Sequence, residues 1–172
     1  MTEYIDIYDK NRRLVRTRQE RGVKLREGEF IVVVGIWVIN DKNEILLTKR
    51  HPDKSYAPNL WENTGGHMQS GENSIDAVLR ELLEETGIAA EKENVEFIGS
   101  ICIPPFFGDN YFVRKNAPLS EVKLQPGETS DMRYVTYEDF RRMADSGELA
   151  PSVVNHLKPI QAQFLSKLFQ KI

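Results

Sequence analysis

The chain has 172 residues, 40% of them hydrophobic and 28% charged, with 23 Lys and Arg against 26 Asp and Glu for a formal net charge of −3. At about 100–200 residues per domain, this length predicts one domain, residues 1–172, that buries roughly 68–70% of its unfolded surface without a disulfide or metal staple. The composition excludes wholesale disorder, and the slightly acidic balance argues against a nucleic-acid binder that works by bulk charge.

The single cysteine, Cys102, cannot form an intramolecular disulfide. The start, Met1-Thr2-Glu3-Tyr4-Ile5-Asp6, lacks a basic-then-apolar pattern, and the longest apolar run, Phe30 to Ile39, is far short of the ~20 residues of a spanning helix. A cytoplasmic protein with no membrane contact is expected.

In chain order, Tyr4 to Tyr8 alternates apolar and polar residues, Asp9-Lys10-Asn11 reads as a turn, and Arg13 to Thr17 returns, which predicts an N-terminal hairpin over about 4–17. The basic run from Arg12 to Arg26 reads as a solvated edge or loop. Phe30 to Ile39 is continuous and β-branched, the pattern of a strand buried on both faces. Asn40-Asp41-Lys42-Asn43 is turn chemistry, and Ile45-Leu46-Leu47 begins a partner strand. A polar loop with Pro52 and Pro58 follows. A helix is predicted over about Ser74 to Thr86, with Asn73 as N-cap and Gly87 as the left-handed residue that ends it. Val95 to Ile103, Asn110 to Arg114 and Met132 to Val135 read as strands, and Tyr137 to Ser146 as a helix. A helical tail over about 152–172 is interrupted near Pro159 and offers a surface for self-association, compatible with a homodimer. This order predicts an α/β fold with a mixed sheet covered by helices on both faces.

The chemistry lies in residues 66–88. On a helix advancing about 100° per residue, Ile75, Val78, Leu79, Leu82 and Leu83 share one side, and Glu81, Glu84 and Glu85 share the other. Three carboxylates at ~4–7 Å repel one another unless something cationic sits among them, and Arg80, four residues before Glu84, offsets only part of that charge.

A bare Glu-x-x-Glu-Glu is usually a solvated face, but here a glycine loop leads in, Glu72 stands at the entrance and Gly87 closes the helix. The string reads Gly66-x5-Glu72-x7-Arg80-Glu81-Leu82-x-Glu84-Glu85-x-Gly87-Ile88. At about one in fifteen per residue type, seven fixed matches arise by chance about once in 10⁸ start positions.

This string resembles the signature box of the Nudix hydrolases at every defined position. The resemblance implies a Nudix-type α/β/α sandwich in which the box forms a loop–helix–loop. It also implies hydrolysis of a diphosphate bond in a nucleoside diphosphate linked to another group, or in a related small-molecule diphosphate. Mg²⁺ or Mn²⁺ is the implied cofactor, since hard cations take carboxylate oxygens, polarise phosphate and activate water. Carried over by position, Glu81, Glu84 and Glu85 match the metal-binding glutamates, and the Gly66 carbonyl matches a further ligand. Arg80 matches the arginine that orients the carboxylates, and Glu72 matches a glutamate with a structural or outer-sphere metal role. Such enzymes often use one more acid beyond the box, for which Glu128 and Asp109 are the candidates.

Asp6-Ile7-Tyr8-Asp9, the Trp37 strand, Leu46 to Arg50 and Trp61 to His67 look like the isopentenyl-diphosphate-isomerase-like branch of the superfamily. There, basic residues before the tryptophan hold the diphosphate, and Arg50 and Lys54 match them. His67 follows the glycine pair and is a candidate for touching phosphate. Phe107 and Tyr111 are candidates for stacking on a base or ring, whereas Trp37 and Trp61 read as packing residues. The isomerase is a competing reading, but it requires a cysteine where this chain has Gly65, and two histidines that fall at Lys24 and Ile31. A third reading is a non-catalytic Nudix-like ligand-binding domain, which the intact glutamate set argues against.

Overall fold

The computed structural model describes residues 2–170; residue 1 and the last two residues of the expected tail, 171 and 172, lie outside the described residues. Its centre is strand β3 (Ile31–Ile39), whose alternate residues feed two separate cores. Trp37 and Ile39 pack on one face, and Val32, Val34, Ile36 and Val38 on the other. That division is why the run is apolar throughout rather than alternating. The preceding hairpin, β1 (Tyr4–Tyr8) and β2 (Leu14–Glu20), forms a separate two-stranded sheet.

On one edge β3 pairs in parallel with β8 (Phe106–Arg114) over nine positions, and β8 pairs antiparallel with β7 (Val95–Ile103). On its other edge β3 meets β4 (Ile45–Arg50) only at Ile39 opposite Ile45. Beyond that pair the two strands diverge. β3 takes β6 (Gly65–His67) as its neighbour, while β4 takes β5 (Trp61–Glu62) and β9 (Thr129–Val135). Residues 61–67 therefore bridge the gap between the diverging strands.

Helix α1 (Ser74–Thr86) covers one face through Ala77, Val78 and Leu82. Helices α2 (Tyr137–Ser146), α3 (Pro151–Leu157) and α4 (Gln161–Leu168) cover the other, with Phe140, Val153 and Phe164 packed around Trp37. The result is the expected α/β/α sandwich, with one parallel strand pair in an otherwise antiparallel sheet. The tail is broken by a 3₁₀ turn at Lys158–Ile160, around Pro159.

Four expectations from sequence are corrected. β8 begins four residues earlier than Asn110, because Gly108-Asp109-Asn110, turn-like in isolation, is paired on both sides. The basic run is not simply solvated: Arg12 pairs with Asp109, Arg16 with Glu29 and Arg21 with Glu3, and Arg18 lies 4.7 Å over the Tyr4 ring. Asp6 does not alternate outward; it is buried between Ile5 and Ile7. On α1, Leu83 is 52% exposed while Glu85 is buried. Glu85 lies three residues after Leu82 and seven after Val78, so it continues the buried stripe, which Leu83 leaves.

Candidate active site

The loop before α1 is held by short-range hydrogen bonds. The Met68 N–H donates to the Val32 carbonyl at 3.0 Å, extending the β6 pairing, and the Gln69 N–H donates to a Glu72 carboxylate oxygen at 2.9 Å. The helix then starts at Asn73, whose side chain accepts from the Asp76 N–H at 3.0 Å. It ends at Gly87, whose φ of 73° lets its N–H reach the Leu83 carbonyl at 2.8 Å.

Arg80 stands between this loop and the helix with each of its five N–H donors placed. Nε and Nη2 donate to the two Glu72 oxygens at 2.7 and 3.0 Å, and Nη2 also reaches the His67 carbonyl at 3.0 Å. Nη1 donates to Glu81 at 2.9 Å and Glu84 at 3.1 Å. Burial works against the Arg80 charge, but its bonds to Glu72 and Glu81 more than offset this and hold it protonated. Glu72 has both oxygens engaged by Arg80 and the Gln69 N–H, so it acts as a support for Arg80 rather than as a free ligand.

Gly66 makes close approach possible. A Cβ there would overlap the Glu81 carboxylate, so only glycine lets that side chain lie against the β6 backbone. Beside it, Glu85 is 9% exposed. Its carboxyl is pushed well above the ordinary value, first by burial and then by the charges of Glu62 and Glu81. Burial also raises Glu81 despite Arg80, and raises Glu62 despite Arg50.

Glu128 reaches this group because the segment after β8 wraps the end of α1. The Lys123 and Gln125 N–H groups donate to the Thr86 and Glu85 carbonyls at 3.1 and 3.2 Å. The Glu128 side chain pairs with Lys54, and Arg50 donates to Glu62 at 2.6 Å. Arg50 and Lys54 thus stand next to the carboxylates, each on an acid of the group.

Of the residues singled out from sequence, the structure gathers Gly66, Glu72, Arg80, Glu81, Glu84, Glu85 and Glu128, with Arg50 and Lys54 alongside. It does not gather the rest. Asp109 is 2% exposed and tied by Arg12, so of the two candidate added acids only Glu128 stands beside the gathered carboxylates. Phe107 stacks on Phe30 at 4.9 Å, and the Tyr111 hydroxyl is 2.6 Å from the Ser74 hydroxyl. Both rings are buried in the core under α1, so neither is presented to a substrate. The His67 ring is neutral, its pKa lowered to about 4 by burial and then by Arg21, and its Nδ1 is buried without a partner. Glu62 is the site residue that sequence reasoning left without a role. Its signal was slight, since β5 is two residues long and follows a proline-containing loop.

Among the described residues no three His, Cys, Asp or Glu side chains already converge as a metal centre would; Glu81 and Glu84 face Arg80, and Glu128 faces Lys54. The donor set nonetheless fits a hard divalent cation. It is all oxygen, and Glu85 is a buried carboxylate that neighbouring carboxylates discourage from ionising, which a cation would reverse.

The family model of the NUDIX domain matches residues 29–155. The chain belongs to the Nudix family. It is 36% identical over 147 residues to Uncharacterized Nudix hydrolase lin0387 of Listeria innocua, covering 85% of this chain and 87% of that one. Among solved structures, DR0079 of Deinococcus radiodurans superposes with a TM-score of 0.73 at 20% identity, over 98% of this chain and 100% of that one. The NUDIX domain of Shewanella oneidensis NrtR, solved with ADP ribose, superposes with a TM-score of 0.62 at 20% identity, over 81% and 88%. The chain is thus a Nudix hydrolase that cleaves a phosphoanhydride bond, and α1 is its Nudix helix. No helix among the described residues is long and apolar enough to cross a membrane.

Proposed function

We propose that this Nudix hydrolase depends on Mg²⁺ or Mn²⁺ and cleaves the diphosphate of a nucleoside diphosphate linked to a second group. The observation that carries the reading is the buried Glu85, raised by burial and by Glu62 and Glu81. A carboxylate so placed costs stability as an anion, and a divalent ion between it and its neighbours offsets that cost.

Glu81, Glu84, Glu85 and the Gly66 carbonyl are the residues that would hold the ion, with Glu72 supporting them through Arg80. Bound there, it would polarise the phosphate and lower the pKa of the attacking water. Arg80 orients Glu81 and Glu84. Glu128 and Glu62 are the remaining acids, and we assign Glu128 as the base that takes the water's proton, because its half-exposed carboxylate has Lys54 as its one ion-pair partner among the described residues. Arg50 and Lys54 neutralise the substrate's diphosphate, leaving their present partners to do so.

ADP-ribose, the ligand named for the NrtR domain, is a nucleoside diphosphate joined to a sugar and is the first probe. The isomerase alternative meets a steric objection: a Cβ at Gly65 would overlap the Val34 carbonyl oxygen, so the backbone has no room for the cysteine that chemistry requires. A cytoplasmic setting belongs to the same proposal, supported by the exposed free thiol of Cys102.

The test is turnover of ADP-ribose and a panel of dinucleoside and sugar-nucleotide diphosphates with Mg²⁺ and Mn²⁺, read by ³¹P detection of products. Glu84→Gln and Glu85→Gln should each lower kcat by at least about 10²-fold with the circular dichroism spectrum retained. Wild-type turnover by both variants would refute the assignment.

A further inference from the structure

The family match begins at residue 29, so the hairpin β1–β2 lies wholly outside it. The hairpin is nonetheless bonded directly to the loop that enters the Nudix helix. Asp6 is 8% exposed, and no cationic side chain among the described residues pairs with it. Its carboxylate is spent on the loop and on its own hairpin. Oδ1 accepts from the Ser70 hydroxyl at 2.7 Å and the Arg18 N–H at 2.9 Å, and Oδ2 accepts from the Gly71 N–H at 3.1 Å. Beside it the Ser70 N–H donates to the Tyr4 carbonyl at 2.8 Å, and Ile5 bridges Gln69. Although burial opposes it, the carboxyl is held below its ordinary value by these three donors, so it is ionised where it accepts them.

At Gly71 packing does not hold the loop. Gly71 has a φ of +85°, and a Cβ built there would meet nothing within 4 Å. Its conformation therefore depends on hydrogen bonds, and Asp6 supplies two of them. From the loop the connection continues without a gap. The Gln69 N–H holds Glu72 at 2.9 Å, Glu72 takes two bonds from Arg80, and Arg80 holds Glu81 and Glu84.

We propose that Asp6 is a positioning residue for the hydrolysis: it fixes the 69–72 loop and, through Glu72 and Arg80, sets the direction of Glu81 and Glu84. The inference rests on the role given to those glutamates above. It assigns the N-terminal hairpin a part in catalysis without any contact to substrate.

Four variants of the full chain test it: Asp6→Ala, Asp6→Asn, Glu85→Gln and, as a control, Arg16→Met. Arg16 ties the same hairpin to the body through Glu29, at 3.0 and 2.6 Å, with no bond to the loop. Three readouts are taken: hydrogen exchange of the 69–72 amides, Mn²⁺ affinity by electron paramagnetic resonance with the metal alone, and kcat and KM on ADP-ribose. Asp6→Ala should speed loop exchange and weaken Mn²⁺ binding, each by about 10-fold, and lower kcat by about 10-fold with KM within about 2-fold. Asp6→Asn, which replaces one accepting oxygen with a donor, should fall between it and the wild type, and carries the comparison if the alanine variant does not fold. Arg16→Met should change none of the three.

Loop exchange and Mn²⁺ binding at wild-type values in the Asp6 variants would overturn the proposal, as would an equal loss in Arg16→Met. Both readouts are independent of which diphosphate is turned over. If Glu85→Gln keeps full Mn²⁺ affinity, the metal reading itself fails. If Glu85→Gln loses affinity and the Asp6 variants do not, only the positioning role fails.

Discussion

Replacing Glu85 by glutamine should stabilise the metal-free protein while abolishing its activity. Glu85 sits on the buried stripe of α1, and both burial and the charges of Glu62 and Glu81 raise its carboxyl. A carboxyl whose folded pKa lies above its unfolded value of 4.5 binds more protons in the native state. Native stability is therefore fullest below that value and falls as pH rises toward the folded one. Glutamine keeps the shape and an acceptor oxygen but never ionises. Exchanging a buried ionic group for a neutral one of similar volume commonly stabilises by about 1–4 kcal/mol. In a chain of this size each kcal/mol moves Tm by about 2–4 °C. The expected result is a metal-free Tm about 2–16 °C above wild type at pH 8, with a smaller gap at pH 5. Adding Mn²⁺ at about 100 times its Kd should raise the wild type by about 2.7 kcal/mol and the variant far less, which closes or reverses the gap. The assay is differential scanning calorimetry at both pH values, with and without Mn²⁺, beside kcat. A variant that melts below wild type at pH 8 and still turns over would refute the reasoning, since Glu85 would then be a structural acceptor and not a charge awaiting a cation.

Arg80→Lys keeps the charge but supplies one ammonium where five directed N–H donors now reach Glu72, His67, Glu81 and Glu84. It should lower kcat by at least about 10-fold and destabilise by about 1–3 kcal/mol, checked by steady-state kinetics and thermal melting. Gly66→Ala places a methyl on the Glu81 carboxylate, so Mn²⁺ affinity should fall at least about 10-fold while Tm moves little; titration of free Mn²⁺ reads it. Phe107→Leu should lower stability by about 1–3 kcal/mol in a urea titration and leave KM within about 2-fold, because the ring packs on Phe30 rather than on substrate.

The elements that were legible in the sequence are those whose signals are local. The bounds of α1 follow from an asparagine that caps and a glycine that enters the left-handed region. The dual burial of β3 follows from an unbroken apolar run. The start of β8 was not legible because Gly108-Asp109-Asn110 is turn chemistry to any local rule. Two flanking strands and the Arg12 contact to Asp109 override it, and neither is near in sequence. Burial of acids was hidden for a related reason. Hydrophobic periodicity sorts residues by type, so Asp6 and Glu85 were assigned to the wet side of their elements. In the fold each lies on a buried side, Asp6 because the Nudix loop offers it donors and Glu85 because it continues the buried stripe of Val78 and Leu82. Glu62 was invisible to periodicity, standing on a strand of two residues whose position is set by the gap between β3 and β4.

The charge of the chain supports the same site from the other direction. Glu62, Glu72, Glu81, Glu84, Glu85 and Glu128 are six acids gathered with three bases, Arg50, Lys54 and Arg80. Removing these from the 26 acids and 23 bases of the sequence leaves twenty of each. Counting every carboxyl as ionised, the formal net charge of −3 is thus concentrated beside one helix, while the rest of the sequence is balanced. Such a concentration, partly buried, focuses the local potential and draws cations. It would also repel a diphosphate arriving alone, and on the proposed function Arg50 and Lys54 release Glu62 and Glu128 to receive it. That route fits the placement of both basic residues, which are held next to the acids rather than turned to solvent.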